Sequence, residues 1–219
     1  MPEDAAARGD GAASVIVVHG LWMTGIEATL LRMRLAESGF EVRQFHYRSM
    51  TAVLDEVVAE LAAEIAALPP PVHLVGHSLG GLLILRLAEQ RPQTPLGRVV
   101  LLGSPVNGSR AARAFASLPG AHLVFGQLAG GELLAPQARR WTHRAPLGVI
   151  AGDHALGLGR LLTTLTEPND GTVAVDETRL EGAAAMLVLP VSHTGLLVSA
   201  EVAQQVVAFL GSGQFAATP

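Results

Sequence analysis

Residues 72–81 read Val-His-Leu-Val-Gly-His-Ser-Leu-Gly-Gly. An apolar run of strand type stops at Gly76, a serine stands between two glycines, and an apolar helical pattern follows from Leu79. Gly76-His77-Ser78-Leu79-Gly80 matches Gly-x-Ser-x-Gly. Ten serines and 24 glycines in 219 residues give about 0.1 chance matches to that pattern, so placement, not the pattern, carries the weight. Between a strand and a helix, such a serine sits on a strained turn that lifts its Oγ clear of the sheet and aims the N–H of the next residue, Leu79, at the same spot. A Cβ two residues before or after the serine would clash across this turn, and Gly76 and Gly80 avoid the clash. Gly81 eases the approach of the helix to the sheet.

Outward from this stretch, short apolar strands alternate with helices. Ser14–Val18, Glu41–Tyr47, Val72–Val75, Arg98–Leu102, Leu147–Ala151 and Met186–Pro190 read as strands. Continuous runs such as Ser-Val-Ile-Val-Val are expected of strands covered on both faces. Residues 27–38, 51–68, 79–90 and 197–210 read as helices. The clearest, 51–68, places Leu54, Val57, Val58, Leu61, Ile65 and Leu68 on one stripe, and Pro69-Pro70-Pro71 stops it. This alternation predicts an α/β fold, a doubly wound, mostly parallel sheet with helices on both faces. Residues 1–13 read as a flexible tail and 14–212 as one domain. Ser109–Arg140 and His154–Pro168 interrupt the alternation after strand ends, where ligands sit in open α/β sheets. They are candidate pocket walls, and 109–140 a candidate lid.

Composition narrows the chemistry. Hydrophobic residues make up 49% and charged residues 16%, which provides a core and excludes wholesale disorder. The net charge is −4 and the basic residues are scattered, so no nucleic-acid surface is expected. The chain has no cysteine, which excludes thiol catalysis and thiolate metal sites. All 15 basic residues are arginine, which excludes Schiff-base chemistry, a Ser–Lys dyad and a P-loop lysine. The polar, acidic N-terminus lacks the apolar core of a signal peptide, and no run reaches about 18 apolar residues; a cytoplasmic location is the expectation.

If Ser78 is a nucleophile it needs a base, an orienting acid and donors for an oxyanion. Of eight histidines, His193 follows the last strand on a loop before the last helix, at the edge of the sheet that carries Ser78. His77 is adjacent in sequence but is expected to point away and pack under the elbow. For the acid, Asp170 lies in Pro168-Asn169-Asp170-Gly171-Thr172-Val173, whose turn chemistry presents a carboxylate on a fixed loop; Asp153 and Asp176 are rivals. The N–H of Leu79 comes with the elbow. A second donor is expected from His19-Gly20-Leu21, with the N–H of Leu21 as donor and His19 as a brace. The chain order Ser78, Asp170, His193 is that of α/β-hydrolases.

These pieces, Val15-Ile-Val-Val-His-Gly-Leu-Trp22, Val75-Gly-His-Ser-Leu-Gly-Gly81, Leu102-Gly-Ser-Pro-Val-Asn-Gly-Ser109, Pro168–Val173 and Val191-Ser-His-Thr-Gly-Leu-Leu197, resemble the α/β-hydrolase superfamily and, within it, small bacterial lipases and esterases. Residues 103–109 resemble the lipase stretch Gly-Thr-Pro-His-x-Gly-Ser, with Ser104 for Thr and Val106 for His. The chain is short for this group and lacks a large cap domain. The resemblance implies about six parallel strands and hydrolysis of carboxylic esters through an acyl-enzyme, with no organic cofactor; some related lipases hold a structural calcium, but no clustered carboxylates here support one, and no metal is expected. The expected partner is a small-molecule ester with a hydrophobic acyl chain, Trp22 being a candidate pocket residue, and transient lipid-surface contact is a further expectation. Thioesters, lactones, amides and acyl transfer to other acceptors stay open as substrates or reactions, as does a non-catalytic binding role on the same fold.

Overall fold

Ser14–Val18 forms β1, and all five of its residues are buried, which requires covering layers on both faces of the sheet. The computed structural model describes residues 12–117, 122–134, 138–155 and 166–217. The predicted tail therefore lies almost wholly outside the described residues, as do parts of both interrupting segments. β1 pairs with β2 (Glu41–Phe45) and β3 (Val72–His77). β4 (Leu96–Leu102), β5 (Leu147–Gly152) and β6 (Ala185–Leu189) extend the sheet beyond β3. Every pairing is parallel, in the spatial order β2-β1-β3-β4-β5-β6.

The period of two along each strand divides the core. Ile16, Val18, Leu74 and Leu101 face one layer, packed by α2 (Leu54–Ala66) and α3 (Leu79–Gln90). Val15, Val17, Val75, Val100 and Ile150 face the other, packed by α1 (Thr29–Glu37) and a C-terminal helix, Ala200–Ser212. Helices α4 (Arg110–Ala116) and α5 (His122–Leu134) follow β4. Glu132 of α5 is buried and accepts from Arg86 Nε of α3 at 2.9 Å and from Arg139. With both carboxylate oxygens paired, the buried charge is compensated, and α5 is tied down onto α3.

Three helices differ in extent from the sequence reading. The first opens with a 3₁₀ turn, Ile26–Ala28, before α1. The second starts at Leu54 because Val53 is extended, at φ −90° and ψ 134°. The last breaks at Ser199, also extended, whose Oγ accepts from Val202 N and caps a new start. It therefore reads as a short α6 (Gly195–Val198) followed by α7 (Ala200–Ser212).

The strand order reverses direction between β1 and β3, and ligand sites in open sheets lie outside the carboxyl ends at such a point. The register brings those ends level: Val18 opposes Gly76, His77 opposes Leu102, and Leu102 opposes Ile150. The turn after β3 sits directly against β1. A Cβ on Gly80 would lie 2.2 Å from Val18 O and 2.6 Å from His19 O. Both are backbone atoms that cannot yield. Gly80→Ala is therefore expected to destabilise the protein by about 3 kcal/mol, the upper end of overpacking costs. Gly130, inside α5 with nothing within 4 Å of a Cβ, sets the contrast: Gly130→Ala is expected to stabilise by about 1 kcal/mol. Urea denaturation of the two variants measures both.

His73, buried within β3, accepts from Arg98 N at 2.8 Å through Nδ1. Burial, together with the nearby Arg98 charge, lowers its pKa from 6.5 to about 4. The unfolded chain takes up this proton near pH 6.5 while the folded protein refuses it until about pH 4. Stability held above pH 6.5 is thus lost as the pH falls through that window, by on the order of 3 kcal/mol. Melting temperature against pH is expected to record this loss. His73→Gln, which keeps an acceptor but does not titrate, should make it shallower.

Candidate active site

Ser78 has φ 53° and ψ −119°. Among the described residues it and Trp22 are the two non-glycine residues with positive φ. Such a backbone persists only where its surroundings over-determine it. Here Ser78 N donates to Leu102 O at 2.9 Å, while the missing Cβ of Gly76 lets Gly81 Cα approach to 2.6 Å from where that Cβ would stand. Leu79 then opens α3, and its N–H has no acceptor among the described residues.

The loop 168–173 builds itself around Asp170. Asn169 Oδ1 accepts from Gly171 N at 2.9 Å. Asp170 Oδ1 accepts from Thr172 N at 2.9 Å and Val173 N at 2.7 Å. One carboxylate oxygen is thus spent on the loop, and the other, Oδ2, accepts from His193 Nδ1 at 2.7 Å. The main chains are joined as well, His193 N donating to Asp170 O at 3.0 Å. Asp170 is 1% exposed, so water does not compete for this bond. Two glycines at strand ends make room for the pair. A Cβ on Gly103, after β4, would lie 3.1 Å from both Asp170 Oδ2 and His193 Nδ1, and one on Gly152, at the end of β5, would lie 2.9 Å from Asp170 Cβ.

The two rival acids are placed elsewhere. Asp153 is exposed, and its backbone N–H donates to Leu189 O. Asp176 is held by Arg110, whose Nη1 donates to Oδ2 at 3.1 Å, and this hydrogen bond lowers its pKa. Its neighbour Glu177 is buried, accepts from Arg110 N at 2.6 Å and from Ala174 N at 2.9 Å, and has its pKa raised by burial. Asn107 Nδ2 donates to the carbonyls of Asp176 and Arg179. These groups fasten the loop after β4 to the 3₁₀ turn Val175–Thr178.

His77 is buried beside His193, its ring centre 4.6 Å from that ring, and its Nε2 donates to His193 O at 3.1 Å. Burial, then the neighbouring His193, holds its pKa well below the usual value, so it stays neutral. Two of the remaining histidines hold local structure. His46 Nδ1 pairs with Thr24 O, His143 Nε2 donates to Thr94 O, and His154 is exposed; the side chain of His122 lies outside the described residues.

On the other flank of Ser78 stands the loop His19-Gly20-Leu21-Trp22. His19 Nδ1 pairs with Gly20 O at 2.9 Å, and its ring stacks on Tyr47 at 4.4 Å. A Cβ on Gly20 would lie 3.2 Å from Ser78 Cβ. The loop therefore lies on the serine, and Leu21 N–H has no acceptor among the described residues. Trp22 is half exposed and meets Phe115 of α4 edge-on at 6.3 Å. It lines a cleft of about 760 Å³ with His19, Met23, Tyr47, Arg48 and Ser49. Sequence reading missed Tyr47, Ser49 and Gly103 as neighbours of the site. Gly103 directly follows a predicted strand, a signal that could have found it; Tyr47 and Ser49 emerge only from the pairing of β2 with β1.

The fold has many counterparts among solved structures. A Bacillus licheniformis lipase, BlEst2 in its propeptide form, superposes with a TM-score of 0.70 at 17% identity, covering 97% of this chain and 52% of that one. The chain thus spans about half the length of that lipase. The ydeN gene product of B. subtilis gives 0.62 at 16% identity, over 92% and 100% of the two chains. A monoacylglycerol lipase of Paleococcus ferrophilus gives 0.60 at 18% identity, over 92% and 96%. No match is found among curated protein sequences. The model of the alpha/beta hydrolase family matches residues 15–213. With six parallel strands in this order, helices on both faces and a strained serine turn after the third strand, the chain belongs to the alpha/beta hydrolase family.

Proposed function

We propose that the protein is a serine hydrolase of carboxylic esters that works through an acyl-enzyme on Ser78. The observation that carries this reading is the 2.7 Å bond between His193 Nδ1 and Asp170 Oδ2 at the sheet edge bearing the strained Ser78. With Nδ1 engaged, Nε2 is the ring nitrogen left to take the Ser78 proton as Oγ attacks the ester carbonyl. Asp170 holds the tautomer and stabilises the imidazolium that forms. The N–H groups of Leu21 and Leu79 receive the negative charge that develops on the carbonyl oxygen. His193 then protonates the leaving alcohol, and water repeats the sequence on the acyl-enzyme.

Trp22 and Phe115 form an apolar wall beside this centre, which suits a hydrophobic acyl chain. The likeness to two lipases supports the reading at the level of the fold. Hydrolysis of p-nitrophenyl esters of graded chain length tests it. Wild type is expected to turn over with a clear optimum in chain length. Ser78→Ala should lose at least about 10⁴-fold in kcat, and Asp170→Asn, which presents the wrong hydrogen-bonding group to His193, about 10⁴-fold. A fluorophosphonate probe should label wild type and not Ser78→Ala. Equal turnover by wild type and Ser78→Ala would overturn the assignment.

A further inference from the structure

We infer that the chain segment just after β2 is the positioning element of the oxyanion loop, with Tyr47 and Ser49 together setting the aim of Leu21 N–H. The inference rests on the reading of His19–Trp22 as the loop that binds the oxyanion.

Two hydrogen bonds bracket Leu21. Tyr47 Oη–H donates to His19 O at 2.8 Å, two residues before it. Trp22 N donates to Ser49 Oγ at 3.2 Å, one residue after it. Both partners come from one short stretch, and the sheet register brings them there. Val18 opposes Phe45, so the residues that continue β1 and β2 leave the sheet side by side. Tyr47 and Ser49 are buried, at 9% and 5% exposure, and the Tyr47 bond to His19 O is itself buried. Tyr47 is itself clamped, its ring stacked between His19 at 4.4 Å and Phe45 at 5.9 Å. Burial also pushes the Tyr47 hydroxyl pKa well up, which keeps it a donor throughout the neutral range.

The backbone between these bonds is one the chain does not adopt readily. Trp22 has φ 59°, a conformation disfavoured for a residue with a bulky side chain. A strained residue of this kind needs outside contacts to hold it, and the bond to Ser49 fastens its own N–H. From the opposite side, Gly20 already rests on Ser78, a Cβ there falling 3.2 Å from Ser78 Cβ. The serine thus blocks movement of the loop toward the elbow, and Tyr47 and Ser49 block movement away from it. Between these contacts the Gly20–Leu21 peptide is held, its carbonyl paired with His19 Nδ1 at 2.9 Å and the His19 ring in turn stacked on Tyr47. An N–H fixed in this way costs no reorganisation when charge appears on the substrate oxygen. Its contribution therefore belongs to the transition state and should be read in kcat.

The test compares wild type, Ser49→Ala, Ser49→Thr and Tyr47→Phe on p-nitrophenyl butyrate, with melting temperatures measured alongside. Ser49→Ala and Tyr47→Phe are each expected to lower kcat about tenfold, a fraction of the loss on removing an oxyanion donor outright, with KM within about twofold of wild type. Affinity for a trifluoromethyl ketone, which forms a tetrahedral adduct with its oxygen in the same place, should fall by the same factor as kcat. Ser49→Thr, which keeps the acceptor oxygen, should restore most of kcat. Tyr47→Phe preserves the shape of the ring and serves if Ser49→Ala does not fold. Folded variants with unchanged kcat, or with losses confined to KM and full ketone affinity, would overturn the inference while leaving Ser78 catalysis intact. Absence of Ser78-dependent turnover in wild type would instead remove the reading on which it rests.

Discussion

The turn at Ser78 depends on contact between two backbones. Gly80 lies so close to the carbonyls of Val18 and His19 that no side-chain carbon fits between them. That contact fixes the spacing between the end of β1 and the start of α3. Three things follow from it. Ser78 is held in a conformation a free chain would leave, the loop that continues β1 is laid across the serine, and α3 is seated on the sheet. The strand register then brings the ends of β4 and β5 level with this point, where Gly103 and Gly152 leave space for the Asp170–His193 pair.

Much of this was legible in the residues themselves. The alternation of apolar strand runs with helical stripes located all six strands; β1, β3 and β5, covered on both faces, have little alternative to a continuous apolar run. Ser78 was legible because glycine on both sides of it is a steric requirement. The pairing of His193 with Asp170 was expected from their positions after strands and from turn chemistry. Choosing Asp170 over Asp153 and Asp176 came down to which carboxylate its own loop would hold. The structure makes the difference concrete: Asp170 is wrapped by Thr172 and Val173 N–H groups, Asp153 faces solvent, and Asp176 is taken by Arg110.

What was not legible depends on contacts between segments distant in sequence. Tyr47 read only as the end of a strand and Ser49 as part of the connection after it, since nothing local in them points to the loop after β1; the meeting is made by sheet pairing. The meeting of the His77 and His193 rings was not legible either, because a loop more than a hundred residues away in sequence makes it. The break at Ser199 was missed because apolar periodicity runs on from α6 into α7, and a single capping hydroxyl decides the boundary.

The two oxygens of Asp170 are divided between unlike tasks, one closing the loop that carries the residue and the other holding His193. On the proposed mechanism the two residues would therefore fail differently. Loss of the Ser78 hydroxyl would remove the nucleophile and no side-chain bond that caps the turn. Loss of the Asp170 carboxylate would free His193 and also release the Thr172 and Val173 N–H groups that it gathers.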